Sequence, residues 1–188
     1  MDWNRAVFLH TGWTSHYNGS EAPEGGHAYL RKAVGVEALN FKPNGGFCFG
    51  YAPVSKISKG GGTGDIPKGD RTLNITKLGA APHLDAVEGI TVIWTARRPY
   101  HSPVIVGVYE DATVYRFMQQ TPAGQHFIAK ARADDCHLVP DARRDFIVQQ
   151  KMKGFPGQAA AWFPGLHQDG PAHDFLVKAA DYVQSICR

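Results

Sequence analysis

Between Gly89 and Arg116 (GITVIWTARRPYHSPVIVGVYEDATVYR) apolar and polar side chains alternate at the period of two that marks β-strands. Val92, Trp94 and Ala96 share one face of the first strand; Thr91, Ile93 and Thr95 share the other. Val104–Tyr109 predicts a second strand and Thr113–Arg116 a third, with Glu110-Asp111-Ala112 as a three-residue hairpin connection. Arg97 and Arg98 fall on the connection after the first strand.

The same reading predicts a first strand over Arg5–His10, ended by Thr11-Gly12, and a polar, aromatic-rich loop from Trp13 to Gly26. A turn at Pro43–Gly46 leads into an alternating strand with Phe47, Phe49 and Tyr51 on one side. Ser55–Arg71 (SKISKGGGTGDIPKGDR) holds too few apolar residues for a core and reads as a mobile surface loop. Asn74–Asp85 reads as a connection anchored by Ile75 and Leu78. Short strands are expected at His126–Arg132, Cys136–Val139 and Phe146–Gln149, and a loop or short helix at Pro156–Pro164. Near the end, Phe175, Leu176, Ala179, Tyr182, Val183 and Ile186 recur at helical spacing, which predicts an amphipathic helix over Ala172–Ile186 closing against the sheet. The pattern gives a mixed α+β, β-rich class: a curved sheet or partly open β-barrel in one domain spanning residues 1–188.

Composition adds little constraint. A hydrophobic share of 43% and a charged share of 20% are ordinary for a globular chain, and a net charge of +3 permits an anionic partner without requiring one. Cys48, Cys136 and Cys187 are odd in number and widely spaced, so neither a disulfide framework nor a cysteine zinc motif is expected and a reducing cytoplasm is the natural setting. No stretch has the length and apolarity of a signal or membrane segment. Nine histidines show no H-E-x-x-H or comparable ligand spacing, so no metal and no cofactor are expected. The glycine-rich loop lacks the GK[ST] closure of a Walker A motif, which argues against nucleotide hydrolysis. No nucleophile elbow or paired acids signal catalysis, so the chain reads as a binding module and not an enzyme.

Two groups of side chains suit a flat, anionic ligand. Trp13, His16, Tyr17 and Asn18 place aromatic rings beside an amide that offers a donor and an acceptor to a base edge. The alternative is a surface loop pinned to the core by Trp13 and Tyr17. Trp94, Tyr109 and Tyr115 form a second group, with Asp111 at the expected hairpin tip. A tryptophan within a strand belongs to the core unless it lines a concave face opposite Trp13. Gln158 and Trp162 offer a third wall. Lys56, Lys59, Lys68, Arg71, Arg97, Arg98, Lys151 and Lys153 supply cations for phosphate contacts, or simply a solvated surface.

The order Trp13-x-x-x-Tyr17-x-Gly19, Phe41-x-Pro43, Gly46-x-Cys48-Phe49-Gly50-Tyr51, VIWTA, VGVYEDATVYR and GQAAAWF resembles a group of bacterial PUA-like proteins, in the superfamily of the EVE and YTH domains. The chain departs from that pattern at Val108, where Trp is expected, and at Phe49, where Tyr is expected. The resemblance implies a curved β-barrel with flanking helices and an aromatic cage that receives a flipped, modified base. It implies DNA as partner ahead of RNA, and a role as sensor in a modification-dependent restriction system whose nuclease is a partner or a fused domain. The competing readings are a metal-dependent nuclease or small hydrolase acting on nucleic acid or nucleotides, and a small-molecule or protein-interaction domain.

Overall fold

The computed structural model describes residues 1–24, 37–54, 72–149, 154–156 and 159–188. Among these residues seven strands form one mixed sheet: β1 (Ala6–Thr11), β2 (Phe47–Gly50), β3 (Ala86–Arg97), β4 (Pro103–Gln120), β5 (His126–Arg132), β6 (Cys136–Leu138) and β7 (Ala161–Trp162). The spatial order is β2-β5-β4-β3-β1-β7, with β6 added alongside β4. Among the described residues only the β1–β3 pair is parallel, Phe8 opposite Ile93 and Leu9 opposite Trp94. The sheet does not close into a barrel.

β3 and β4 are the spine, and their pairing is bulged. The register shifts between Val87 and Ile90, between Ile90 and Val92, and between Trp94 and Thr95. Gly89 (φ 68°) and Asp111 (φ 46°) take left-handed backbone at neighbouring bulges, bending both strands. This corrects the expected hairpin. Glu110-Asp111-Ala112 does not reverse the chain, because its polar residues are absorbed as a bulge inside the 18 residues of β4. β4 then serves two partners in turn, pairing Gly107–Tyr109 with β6 and Thr113–Gln120 with β5. The true hairpin is β3–β4, turning at residues 98–102.

Alternation sends side chains to two apolar layers, one on each face of the sheet. Val7, Leu9, Val92, Trp94, Val106 and Tyr109 belong to one layer. Ala6, Phe8, Ile93, Ile105 and Val108 belong to the other, which is covered by helix α1 (His173–Ile186). The helix meets its expected span closely. Phe175, Leu176, Ala179 and Val183 are buried, Tyr182 and Ile186 pack beside them, and the Tyr182 hydroxyl donates to the Arg143 carbonyl at 2.9 Å.

Several shorter expectations are met. β5 has the predicted bounds, and Ile75 and Leu78 sit fully buried on a 3-10 turn. Phe146–Gln149 contributes one bridge, Ile147 to Val104, instead of a strand. Within Pro156–Pro164, expected as a loop or short helix, Ala161–Trp162 pairs as the two-residue strand β7, and Gly157 and Gln158 lie outside the described residues. The glycine-rich segment lies outside the described residues. Among the described residues no helix is long and apolar enough to cross a membrane.

Candidate functional site

The β3–β4 turn and the end of β1 frame an open groove of about 500 Å³, within the range of small-ligand pockets. Trp13, Arg98, Tyr100, His101, Ser102, Val104, Asp141, Arg144, Asp145 and Ile147 line it.

Trp13 lies two residues past the end of β1, and a pair of backbone hydrogen bonds with Glu24 holds it there. The Thr14 hydroxyl accepts from the Tyr17 N–H at 2.8 Å, stabilising Tyr17 in left-handed backbone at φ 50°. Tyr17 then points inward, is 1% exposed, and donates its hydroxyl to the Gly12 carbonyl. Burial pushes its phenol well above the usual range, so it remains a neutral donor.

Arg144 locks this loop from 130 residues away. Its guanidinium donates to the carbonyls of Val139 (2.8 Å), Thr14 (2.7 Å) and Ser15 (2.6 Å), and lies 5.0 Å from the Trp13 ring centroid. It is 7% exposed, and burial lowers its pKa from the ordinary arginine value. Arg98 reaches the same indole from the solvent side of the turn. Its guanidinium is 4.7 Å from the Trp13 ring and donates to both Asp141 carboxylate oxygens at 3.0 and 3.3 Å. With nearly half of its side chain exposed, Arg98 is the solvent-facing member of the pair.

Tyr100 forms the rim. The His101 N–H donates to the Arg98 carbonyl at 3.0 Å, so residues 98–101 make a β-turn with Pro99 second and Tyr100 third. A left-handed third residue after proline is the type II arrangement, which favours glycine or asparagine. Tyr100 occupies it at φ 64° with its ring wholly in solvent. A bulky residue there costs about 1–3 kcal/mol, the kind of strain that collects at functional sites.

The chain matches no family model, no curated protein and no solved structure. The chemistry of the groove rests on its own side chains.

Of the residues singled out from the sequence, Trp13 and Arg98 line the groove together. Arg97 lies just outside it, exposed, with Nε donating to the His101 carbonyl at 2.7 Å. His16 is exposed and pairs with Glu21 at 2.6 Å, and the Asn18 carbonyl oxygen is taken by Ser20, so neither faces the groove. Trp94 and Tyr109 are core residues, both fully buried and stacked edge to face at 5.3 Å. Their expected role as pocket walls is corrected by the sheet's packing: β3 and β4 are central strands, covered on both faces. Asp111 sits at the bulge near Gly89, away from Trp13. Trp162 is buried in the opposite layer against Phe8 and His167. Lys56, Lys59, Lys68, Arg71, Lys151, Lys153 and Gln158 lie outside the described residues. Sequence reasoning missed the other lining residues, among them Tyr100, His101, Asp141 and Arg144. Only the Pro99-Tyr100 pair, an aromatic where a turn wants glycine, could have flagged them.

Proposed function

We propose that this chain is a nucleic-acid-binding module of PUA-like architecture that reads a modified base in DNA, as the sensor of a modification-dependent restriction or defence system. The observation that carries the reading is the groove itself: a nearly buried indole under a half-exposed guanidinium, beside a solvent-exposed tyrosine held in left-handed backbone. A base flipped from the duplex takes the place of Arg98 over Trp13, and Tyr100 closes on it from the rim. Each stacked ring contributes about 1–3 kcal/mol, enough to offset the few kcal/mol of unstacking. Displaced from the indole, Arg98 turns to a backbone phosphate, and Asp141, released from Arg98, becomes an acceptor for a base-edge N–H. Arg144 stays in place, because its donors are committed to three carbonyls. Strand cleavage belongs to a partner or fused nuclease.

The test is a binding screen, without divalent ions, over duplexes that differ in a single modified base. The reading predicts tighter binding to one modified duplex and intact strands afterwards; equal binding to all duplexes, or cleavage by the chain alone, contradicts it. Arg98→Ala is expected to weaken binding to modified and plain duplexes alike. It should also flatten the plot of log affinity against log salt by about one phosphate contact. If Arg98→Ala loses only the preference for the modification, Arg98 reads the base and not the backbone.

A further inference from the structure

Away from the groove, three side chains of different ligand chemistry converge where α1 ends against the sheet. In the β4–β6 ladder Val108 stands opposite His137. Glu110, two residues further along β4, therefore projects from the same face as His137. The His137 Nε2 and a Glu110 carboxylate oxygen lie 2.9 Å apart. Cys187 follows α1 directly, its N–H donating to the Val183 carbonyl at 3.2 Å, which continues the last turn and directs the thiol to the same place. The ligand atoms of Glu110, His137 and Cys187 all lie within 4.8 Å of one another.

We infer that Glu110, His137 and Cys187 form a site for a divalent transition-metal ion, best suited to zinc. Thiolate and imidazole together favour Zn²⁺ over the hard cations Mg²⁺ and Ca²⁺, which take all-oxygen sites. With bonds of about 2.0–2.3 Å, ligand atoms on a tetrahedral zinc stand about 3.3–3.8 Å apart. The trio thus needs only about 1 Å of side-chain adjustment, opening the Glu–His contact and drawing in the sulfur. Glu110 is exposed, and His137 and Cys187 are only partly buried, so rotamer changes achieve this without moving backbone. A carboxylate–imidazole pair alone would be an ordinary surface contact. The third ligand, brought from a different element, makes the point a chelate. Three protein ligands leave a fourth position for water or for a ligand from a partner. The ion would clamp the end of α1 to the β4–β6 junction. The motif is invisible to spacing rules because its members are 27 and 50 residues apart, on two strands and a helix end.

The test uses the full chain, freed of metal by chelation and titrated with Co²⁺ and then Zn²⁺. The proposal predicts one Co²⁺ per chain, a thiolate-to-cobalt charge-transfer band, and loss of that band as Zn²⁺ displaces the cobalt. Cys187→Ser should abolish the band. Loss of an outer-shell partner already costs about 10–100-fold in metal affinity, so Cys187→Ser and His137→Gln should each weaken Zn²⁺ binding by at least about 100-fold. Zn²⁺ should raise the melting temperature of the wild-type chain and leave that of Cys187→Ser unchanged. Absence of the band in the wild type overturns the proposal. Binding that survives in both variants also overturns it, since the ion would then sit elsewhere.

Discussion

Trp94→Ala is expected to lose about 3–5 kcal/mol of folding stability, the cost of emptying a large aromatic site in a core. Trp94 is fully buried on the central strand β3, opposite Gly107 on β4 and Leu9 on β1. The fold makes room for it: a Cβ on Gly50 would collide with its indole and press on Tyr109. Such a loss is a large share of the roughly 5–15 kcal/mol that holds a domain together. Trp94→Phe should cost much less. It keeps a ring in the slot and removes an indole N–H that has no hydrogen-bond partner among the described residues, a liability of about 1–3 kcal/mol where it stands. Urea denaturation of both variants checks this. A Trp94→Ala chain as stable as the wild type, with altered ligand preference instead, would return Trp94 to the binding site.

Arg144→Met is expected to cost a further class of stability, about 3–5 kcal/mol, with the damage centred on the groove. Each charge-assisted hydrogen bond from a buried arginine contributes about 1.5–3 kcal/mol, and the three here share one side chain, so they do not simply add. Methionine fills similar volume but leaves the Val139, Thr14 and Ser15 carbonyls without donors. Arg144→Lys should rescue little, because a point-like ammonium does not span three carbonyls in the way a planar fork does. Hydrogen exchange should show the amides of Trp13–Tyr17 losing protection while those of β3 keep it. A variant within about 0.5 kcal/mol of wild type, the range of ordinary surface substitutions, would mean that Arg144 does not hold the loop.

The contrast between these two residues shows where sequence reasoning reached its limit. β1, β3, β5, β6 and α1 were legible because their signal is local: alternation at two or recurrence at 3.6 needs no partner to be seen. β4 was legible only as two pieces, Val104–Tyr109 and Thr113–Arg116, because Glu110-Asp111-Ala112 has the composition of a turn, and only pairing with β3 and β5 shows that the strand continues through it. Trp94 alternates correctly whether its face is core or cavity, and the covering layers decide the matter. Trp13 was legible as an aromatic just past a strand, and Arg98 as a cation on a connection. Arg144 carried no such mark. Its importance comes from reaching a loop 130 residues away. Tyr100 was half visible, since Pro99 predicts a turn while its exposed ring and positive φ appear only in the fold.

The central claim is that a modified base stacks between Trp13 and Tyr100, and the affinity ratio of modified to plain duplex tests it most directly. That ratio should be measured for the wild type, for Trp13→Ala after a check of folding, and for Tyr100→Gly. The glycine variant separates binding from stability: the Tyr100 ring lies wholly in solvent, and glycine relieves its left-handed backbone, so this chain should be at least as stable as the wild type. Each lost ring should cost about 1–3 kcal/mol, roughly ten- to hundredfold, in affinity for the modified duplex, while affinity for the plain duplex stays near its original value. A ratio unchanged in both folded variants would contradict the account and place recognition outside this groove.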